Sequence, residues 1–411
     1  MKKVLHVGMA VAVVTTMTLG AGSCLADEHG RDHKKDGAKN IIMMVPDGMG
    51  ISNVTAARIF KNGPNGERLA LESLKVIGQQ STHAANSTVT DSAAAATAWA
   101  IGQKANNGEI SCTPTETGDC SNAPKTVLEI AKAMGKATGL VATSQISHAT
   151  PAAFGAHAGN RYCGEEIARQ YIEDTDVDVV LGGGVYYTNT KTGRCPWGAS
   201  LPGTGMGQDG IISSAMDNGY TVVGTEDELK DAVKGKDSKV LGLFKGFNDG
   251  KTVEMFHVDP TVTYPEEEPT LAEMTEAALD ILDDDKDGFF LMVEGSQIDW
   301  EDHANSQEGM IAETLGFEAA VETVNSWLKK GHNAKNTLLI VAPDHDTAGY
   351  AINGPYGTLS NQGEIVDGAY ISGNHTATDV VIWSQGPGSE NLGRALDNTD
   401  LFSVMVNALD D

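Results

Sequence analysis

Acids and histidines collect where apolar runs of this chain stop. "IIMMVPDGMG" ends in Asp47, "FFLMVEGSQIDWEDH" runs into Glu294, Asp299 and His303, and "LLIVAPDHDTAG" ends in Asp344 and His345. "ATSQISHAT" follows its run with His148 and Thr150, whereas His375 in "GNHTATDVVIW" precedes one. Taken singly, an acid after a strand reads as a helix cap, and a lone histidine as a surface or hydrogen-bonded residue. Independent caps have no reason to supply this mixture at several strand ends. Asp299 and His303 stand four apart, which puts both on one helical face and lets them grip one ion. Imidazoles with carboxylates suit zinc, and Thr150, Glu294 and water oxygens suit magnesium. The chemistry is that of a cluster of divalent ions.

"VTDSAAAATAWAIG" places Ser92 between Asp91 and an alanine helix. A serine hydroxyl is a weak nucleophile at neutral pH, so a nucleophilic role for Ser92 requires something to activate it. The helix start offers N–H groups and a positive dipole end to an anion, and its small side chains leave room beside it. The competing reading makes Ser92 or Asp91 an ordinary N-cap.

The elements that must hold these residues are legible as continuous apolar runs. Buried strands are predicted at "IIMMV" (41–45), "TGLVAT" (138–143), "VDVVLGG" (177–183), "GFFLMVEG" (288–295), "TLLIVAP" (337–343) and "DVVIWS" (379–384). Helical patterns lie between them at "KTVLEIAKAMG", "EEIARQYIED", "TEDELKDAVKG", "PTLAEMTEAALDILDD" and from Ser306 to Lys330. Such alternation implies an α/β fold with a largely parallel sheet covered on both faces, and ligands beyond the carboxyl ends of its strands. Residues near both ends of the chain serve one site, so residues 40–411 are expected to form a single large domain. Surface insertions are expected near 104–124 and 186–210, and a flexible segment at 27–39.

Six motifs in this order, "PDGMG", "TDSAAAATA", "HATPAAFGAHAGNR", "VEGSQIDWEDHAN", "APDHDTAG" and "GNHTATD", resemble the alkaline phosphatase family across nearly the whole chain. The resemblance implies that family's three-layer α/β/α fold with a large, mostly parallel central sheet. It implies hydrolysis of phosphate monoesters to an alcohol and inorganic phosphate through a phosphoserine on Ser92. It also implies two zinc ions and one magnesium: Asp299, His303 and His375 on one zinc, Asp344, His345, Asp47 and Ser92 on the other, and Asp47, Thr150 and Glu294 on magnesium. Arg161 matches the arginine that clamps the phosphate. On that set, four carboxylates and a Ser92 alkoxide meet three divalent cations and Arg161, leaving a local positive excess for a phosphate dianion. Family members are commonly dimers, which makes a homodimer the expected assembly.

His148 and Trp300 stand where the best-known enteric form has an aspartate and a lysine, and the pair resembles marine and cold-adapted bacterial members. An imidazole there replaces an anion beside the magnesium ligands and so bears on how firmly that ion is held. Trp300 also admits a simple packing role. Rival activities are weaker: no sulfatase motif is present, diesterases of related folds use threonine, and a metal-storage protein needs neither Ser92 nor Arg161.

Residues 1–26 have the layout of a secretory signal peptide: Lys2 and Lys3, an apolar stretch through Leu19, then small residues ahead of Ala26. The protein is therefore expected outside the cytoplasm, periplasmic or secreted. The alternative takes "AGSC" as a lipidation site, with an anchor on Cys24. Four cysteines remain after cleavage, and the sequence-near pairings are favoured, Cys112 with Cys120 and Cys163 with Cys195. The net charge of −27 argues against nucleic-acid partners. No later run is long enough for a transmembrane helix.

Overall fold

The structure, a computed structural model, describes residues 37–113, 120, 122–184, 207–244 and 268–410. The expected signal peptide, Cys24, Cys195, residues 27–36 and most of the 186–210 insertion lie outside the described residues. All the candidate catalytic and metal-binding residues, and His148 and Trp300, lie within them.

The described strands are β1 (Asn40–Pro46), β2 (Val76–Ser81), β3 (Ala137–Gln145), β4 (Val179–Gly183), β5 (Thr221–Val223), β6 (Val240–Leu243) and β7 (Phe289–Gly295). They continue with β8 (Thr337–Val341), β9 (Asp346–Thr347), β10 (Ala351–Ile352), β11 (Gly368–Ala369), β12 (His375–Thr376), β13 (Val380–Gln385) and β14 (Ala395–Asp397). Ten of them form one sheet in the order β14-β2-β13-β8-β1-β7-β3-β4-β6-β5. Every pairing in it is parallel except those of β13, which runs against both β8 and β2.

The six apolar runs form β1, β3, β4, β7, β8 and β13. Four strands of the sheet carry weaker signals. In β2, "VIGQQS", most side chains are half-buried or exposed, so no apolar run marks it. β5, β6 and β14 are only three or four residues long.

Alternation along the central strands builds two cores. Ile41, Met43 and Val45 of β1, with Phe290 and Met292 of β7, face Trp99, Leu128, Phe154 and Met405. Ile42 and Met44, with Phe289, Leu291 and Val293, face Val54, Met274, Phe317 and Val324. Helices Ser92–Ile101, Val127–Ala133 and Ala149–Gly155 thus cover one face, and Ile51–Asn62, Leu271–Leu282 and Gln307–Leu328 the other. Phe317 is fully buried, and truncating such a ring to Ala costs about 3–5 kcal/mol.

Cys112 and Cys120 form a disulfide. Cys163 is also disulfide-bonded, and its expected partner, Cys195, lies outside the described residues.

Candidate metal centre

Four neighbouring parallel strands, β8, β1, β7 and β3, end side by side. Their carboxyl ends deliver Asp344 and His345, Asp47, Glu294, and the turn bearing His148 and Thr150. Gly48 explains why "PDGMG" needs its first glycine. Its φ is 72°, and a Cβ there would lie 2.7 Å from Thr347 Oγ1 and 2.8 Å from Asp299 Oδ1. A side chain would fill the space where β1 approaches the helix Gln297–His303.

Ser92 is the first residue of its helix, while Asp91 is the N-cap, its Oδ1 accepting the Ala94 N–H at 3.0 Å. The cap reading therefore belongs to Asp91, and Ser92 Oγ is left to lie 3.3 Å from His345 Nε2. That nitrogen is also 3.1 Å from Asp344 Oδ2 and 3.5 Å from Asp47 Oδ1.

A second group forms around Asp299. His303 Nε2 and His375 Nε2 each lie 3.4 Å from one of its oxygens and 3.1 Å from each other. His375 reaches it because β12 pairs with β9 and sets His375 opposite Thr347. His345 also falls within reach of Asp299 and His375, so it borders both groups. The third group brings Asp47, His148 and Glu294 together. Thr150, two residues after His148, is fully buried in the first turn of the helix Ala149–Gly155.

The tautomers follow from the acceptors. His303 Nδ1 faces Gly373 O at 2.8 Å and His375 Nδ1 faces Thr90 O at 2.8 Å. A carbonyl only accepts, so both Nδ1 atoms carry protons, and in the neutral rings both Nε2 atoms present lone pairs. Two such lone pairs 3.1 Å apart repel unless a cation or a shared proton stands between them. Elsewhere in the site both oxygens of Asp47, Glu294 Oε1, Asp344 Oδ2 and Thr150 Oγ1 are buried without hydrogen-bond partners. Each such oxygen costs about 1–3 kcal/mol when left unsatisfied.

The ionisation of the carboxylates carries the same message. Burial, then the charges of Asp344, Asp299 and Glu294, raise the Asp47 carboxyl far above its usual range. Burial pushes Glu294 to about 7 although the Ser296 hydroxyl partly offsets it. Burial opposes ionisation of Asp299 too, but the imidazoles of His375, His345 and His303 hold it well below its usual value. A cavity that gathers acids at this cost fits divalent cations.

Arg161 lies beside the third group. Its Nη1 donates to Asp91 Oδ2 at 3.0 Å and its Nη2 to His148 Nε2 at 3.2 Å. Burial and the Arg161 charge push the His148 imidazole down to about 3, so it is neutral. Trp300 stands edge-on to that ring, with centroids 5.9 Å apart.

A sequence profile described as alkaline phosphatase matches residues 38–367. The chain belongs to the alkaline phosphatase family. Alkaline phosphatase 3 of Bacillus subtilis (strain 168) is 33% identical over 99% of this chain and 97% of its own length. The alkaline phosphatase of the Antarctic bacterium TAB5 superposes with a TM-score of 0.70 at 29% identity, over 91% of this chain and 98% of its own. The cold-active enzyme of the psychrophile Shewanella sp. gives 0.72 at 28% identity, over 90% and 99%. A TAB5 variant in which one histidine becomes aspartate has Mg bound in its M3 site. This alkaline phosphatase is accordingly a metal-dependent phosphomonoester hydrolase, and the route general to its family passes through a phosphoserine.

Two residues of the alkaline phosphatase site escape sequence reasoning. Thr347 Oγ1 donates to Asp299 Oδ1 at 2.5 Å and lies 3.2 Å from His345 Nδ1, so one hydroxyl touches both histidine-rich groups. The available signal was its place two residues after His345, on the same side of an extended chain. Asp91 was legible as a cap but not as the anchor of Arg161.

Proposed function

We propose that Ser92 is the nucleophile of this phosphatase and that the surrounding groups hold two zinc ions and one magnesium. The observation that carries this reading is the pair of opposed Nε2 lone pairs of His303 and His375, set beside partnerless buried carboxylates and a serine at a helix start. Asp299, His303 and His375 would hold one zinc, and Asp344, His345, Asp47 and Ser92 the other. Asp47, Thr150 and Glu294 would hold the magnesium. When bound, these ions lower the proton affinity of oxygens brought to them and screen the charge on phosphorus.

The chain's own residues do the rest. Arg161, fixed by Asp91, takes two phosphate oxygens, and the first N–H groups of the helix Ser92–Ile101 face the same anion. Ser92 Oγ forms a bond to phosphorus as the ester oxygen departs in line, and that oxygen leaves with a proton as the alcohol. Water then attacks the phosphoserine from the opposite side, releasing inorganic phosphate and restoring the Ser92 hydroxyl.

The His148 and Trp300 pair is proposed to set how firmly magnesium is held, in keeping with the TAB5 histidine-to-aspartate variant, whose M3 site binds Mg. Export to the periplasm or medium, a homodimeric state and lack of nucleic-acid affinity complete the proposal, the last supported by the −27 charge. No helix among the described residues is long and apolar enough to cross a membrane.

Metal analysis of the purified protein, combined with a chromogenic phosphate monoester, diester and sulfate assayed with and without zinc, tests the reading. Zinc and magnesium near two to one with strong preference for the monoester is the expected result. Full activity in metal-free protein, or faster turnover of the diester or sulfate, would contradict it.

A further inference from the structure

Arg161 ends a segment that is strapped to the chain on either side of Ile110. Ile110 and Ala158 exchange backbone hydrogen bonds of 2.8 and 2.9 Å, and Arg161 N donates to Gly108 O at 2.7 Å. Four residues before Arg161, His157 fastens the other end of the strap. Its Nδ1 lies 2.6 Å from Ser111 O, and its Nε2 lies 3.0 Å from Glu129 Oε2.

A carbonyl and an ionised carboxylate are both acceptors, so each ring nitrogen must carry a proton. In this geometry His157 is an imidazolium that donates twice. Both acceptors are fixed from other directions. Ser111 N donates to Thr97 Oγ1 at 2.8 Å, and Ser111 Oγ donates to Ala153 O. Glu129 Oε2 accepts the Thr126 N–H at 2.7 Å within the capping box of the helix Val127–Ala133. Behind the ring, His157 N donates to Gln170 Oε1 at 2.8 Å and Gln170 Nε2 returns to His157 O at 2.9 Å.

Among the described residues, the charged groups around it are few. Glu129 touches the ring, and the charge of Lys125 acts on Glu129. On the helix Gly164–Arg169, Glu166 accepts from Gln170 Nε2 at 2.8 Å and is paired with Arg169. Burial opposes the charge on His157, but the Glu129 and Ser111 contacts outweigh it and raise its pKa above 6.5.

We propose that His157 is a positioning residue for the phosphate clamp: the twice-donating imidazolium ties the Arg161 segment to Ser111 and Glu129, and loss of one proton releases one tie. The inference rests on the reading of Arg161 as that clamp. Because the folded group holds its proton more tightly than the unfolded one, the tie is complete below about pH 6.5 and is lost as pH rises through the folded pKa. Phosphate is then gripped less firmly under alkaline conditions than under neutral ones.

The test is a double-mutant cycle on the metal-loaded enzyme, reading the inhibition constant of inorganic phosphate between pH 6.5 and 9.5. His157→Gln should weaken inhibition roughly three- to tenfold at the low end, the range of a lost hydrogen bond. That factor should shrink toward one as pH rises, and should vanish in an Arg161→Ala background. An equal factor in both backgrounds, or one independent of pH, overturns the proposal. An Arg161→Ala enzyme with unaltered inhibition would instead overturn the clamp reading. Glu129→Gln, which retains a capping-box side chain, carries the test if His157→Gln does not fold. It should move the weakening of phosphate binding to lower pH, and an unmoved profile counts against the proposal.

Discussion

Asp91 and Arg161 meet through Oδ2 and Nη1 at 3.0 Å, while the other oxygen of the same carboxylate caps Ala94 N at 3.0 Å. One side chain thus starts the helix that opens with Ser92 and holds the guanidinium beside that start. Asp91→Ala removes both contacts. It should cost about 1 kcal/mol of stability, the usual worth of an N-cap, and weaken phosphate inhibition several-fold. Asp91→Asn keeps the cap and should recover most of the stability but little of the inhibition. Thermal unfolding and phosphate inhibition of the two variants separate the roles, and identical inhibition in all three proteins would deny the link to Arg161.

Thr347 joins Asp299 to His345 through one hydroxyl. Thr347→Val keeps the shape and removes those bonds, so Asp299 and His345 lose their orienting partner. Metal affinity or activity should fall by about 10–100-fold, the range for groups that orient metal ligands. Competition with a chelator of known affinity measures it. Unchanged affinity would show that packing alone holds the two ligands.

His148→Asp places an anion beside Asp47 and Glu294, which favours a hydrated cation there. Magnesium binding measured by titration calorimetry should become tighter. An unaltered affinity would show that residue 148 does not act on the magnesium ligands.

Removing the metals should make stability depend on pH in a definite sense. Glu294 at about 7 and Asp47 well above its usual range bind protons in the folded state that the unfolded chain has released. His375, raised above 6.5 chiefly by Asp299 against the opposing effect of burial, acts in the same direction. More protons on the folded state means that stability falls as pH rises. Above about pH 6.5 the neutral His148 adds nothing, since folded and unfolded forms are both deprotonated. The chelated protein should therefore melt at progressively lower temperature from about pH 6.5 to 8, and added zinc and magnesium should flatten that slope. A slope that metals leave untouched would contradict the cation reading of the cluster.

The central strands were readable because β1, β3, β7 and β8 are buried on both faces, so nothing interrupts their apolar runs. β2 was not, since its exposed side chains dilute the pattern, and β5, β6 and β14 are too short to show one. The ligand-type residues were readable because carboxylates and imidazoles at strand ends are conspicuous. Their organisers were less so. Thr347 acquires its full meaning only from Asp299, 48 residues earlier in the chain, and His157 only from acceptors on two other segments. Hydrogen-bond partners brought together by tertiary contacts leave no local trace in the sequence.

The central claim is that Ser92 itself takes the phosphoryl group, and the most direct measurement is the stereochemical course at phosphorus with a chiral phosphate monoester. Transfer first to Ser92 and then to an acceptor inverts the centre twice, so an alcohol acceptor should receive phosphate with net retention. Net inversion would mean direct attack on the substrate, and would leave Ser92 without the role assigned to it.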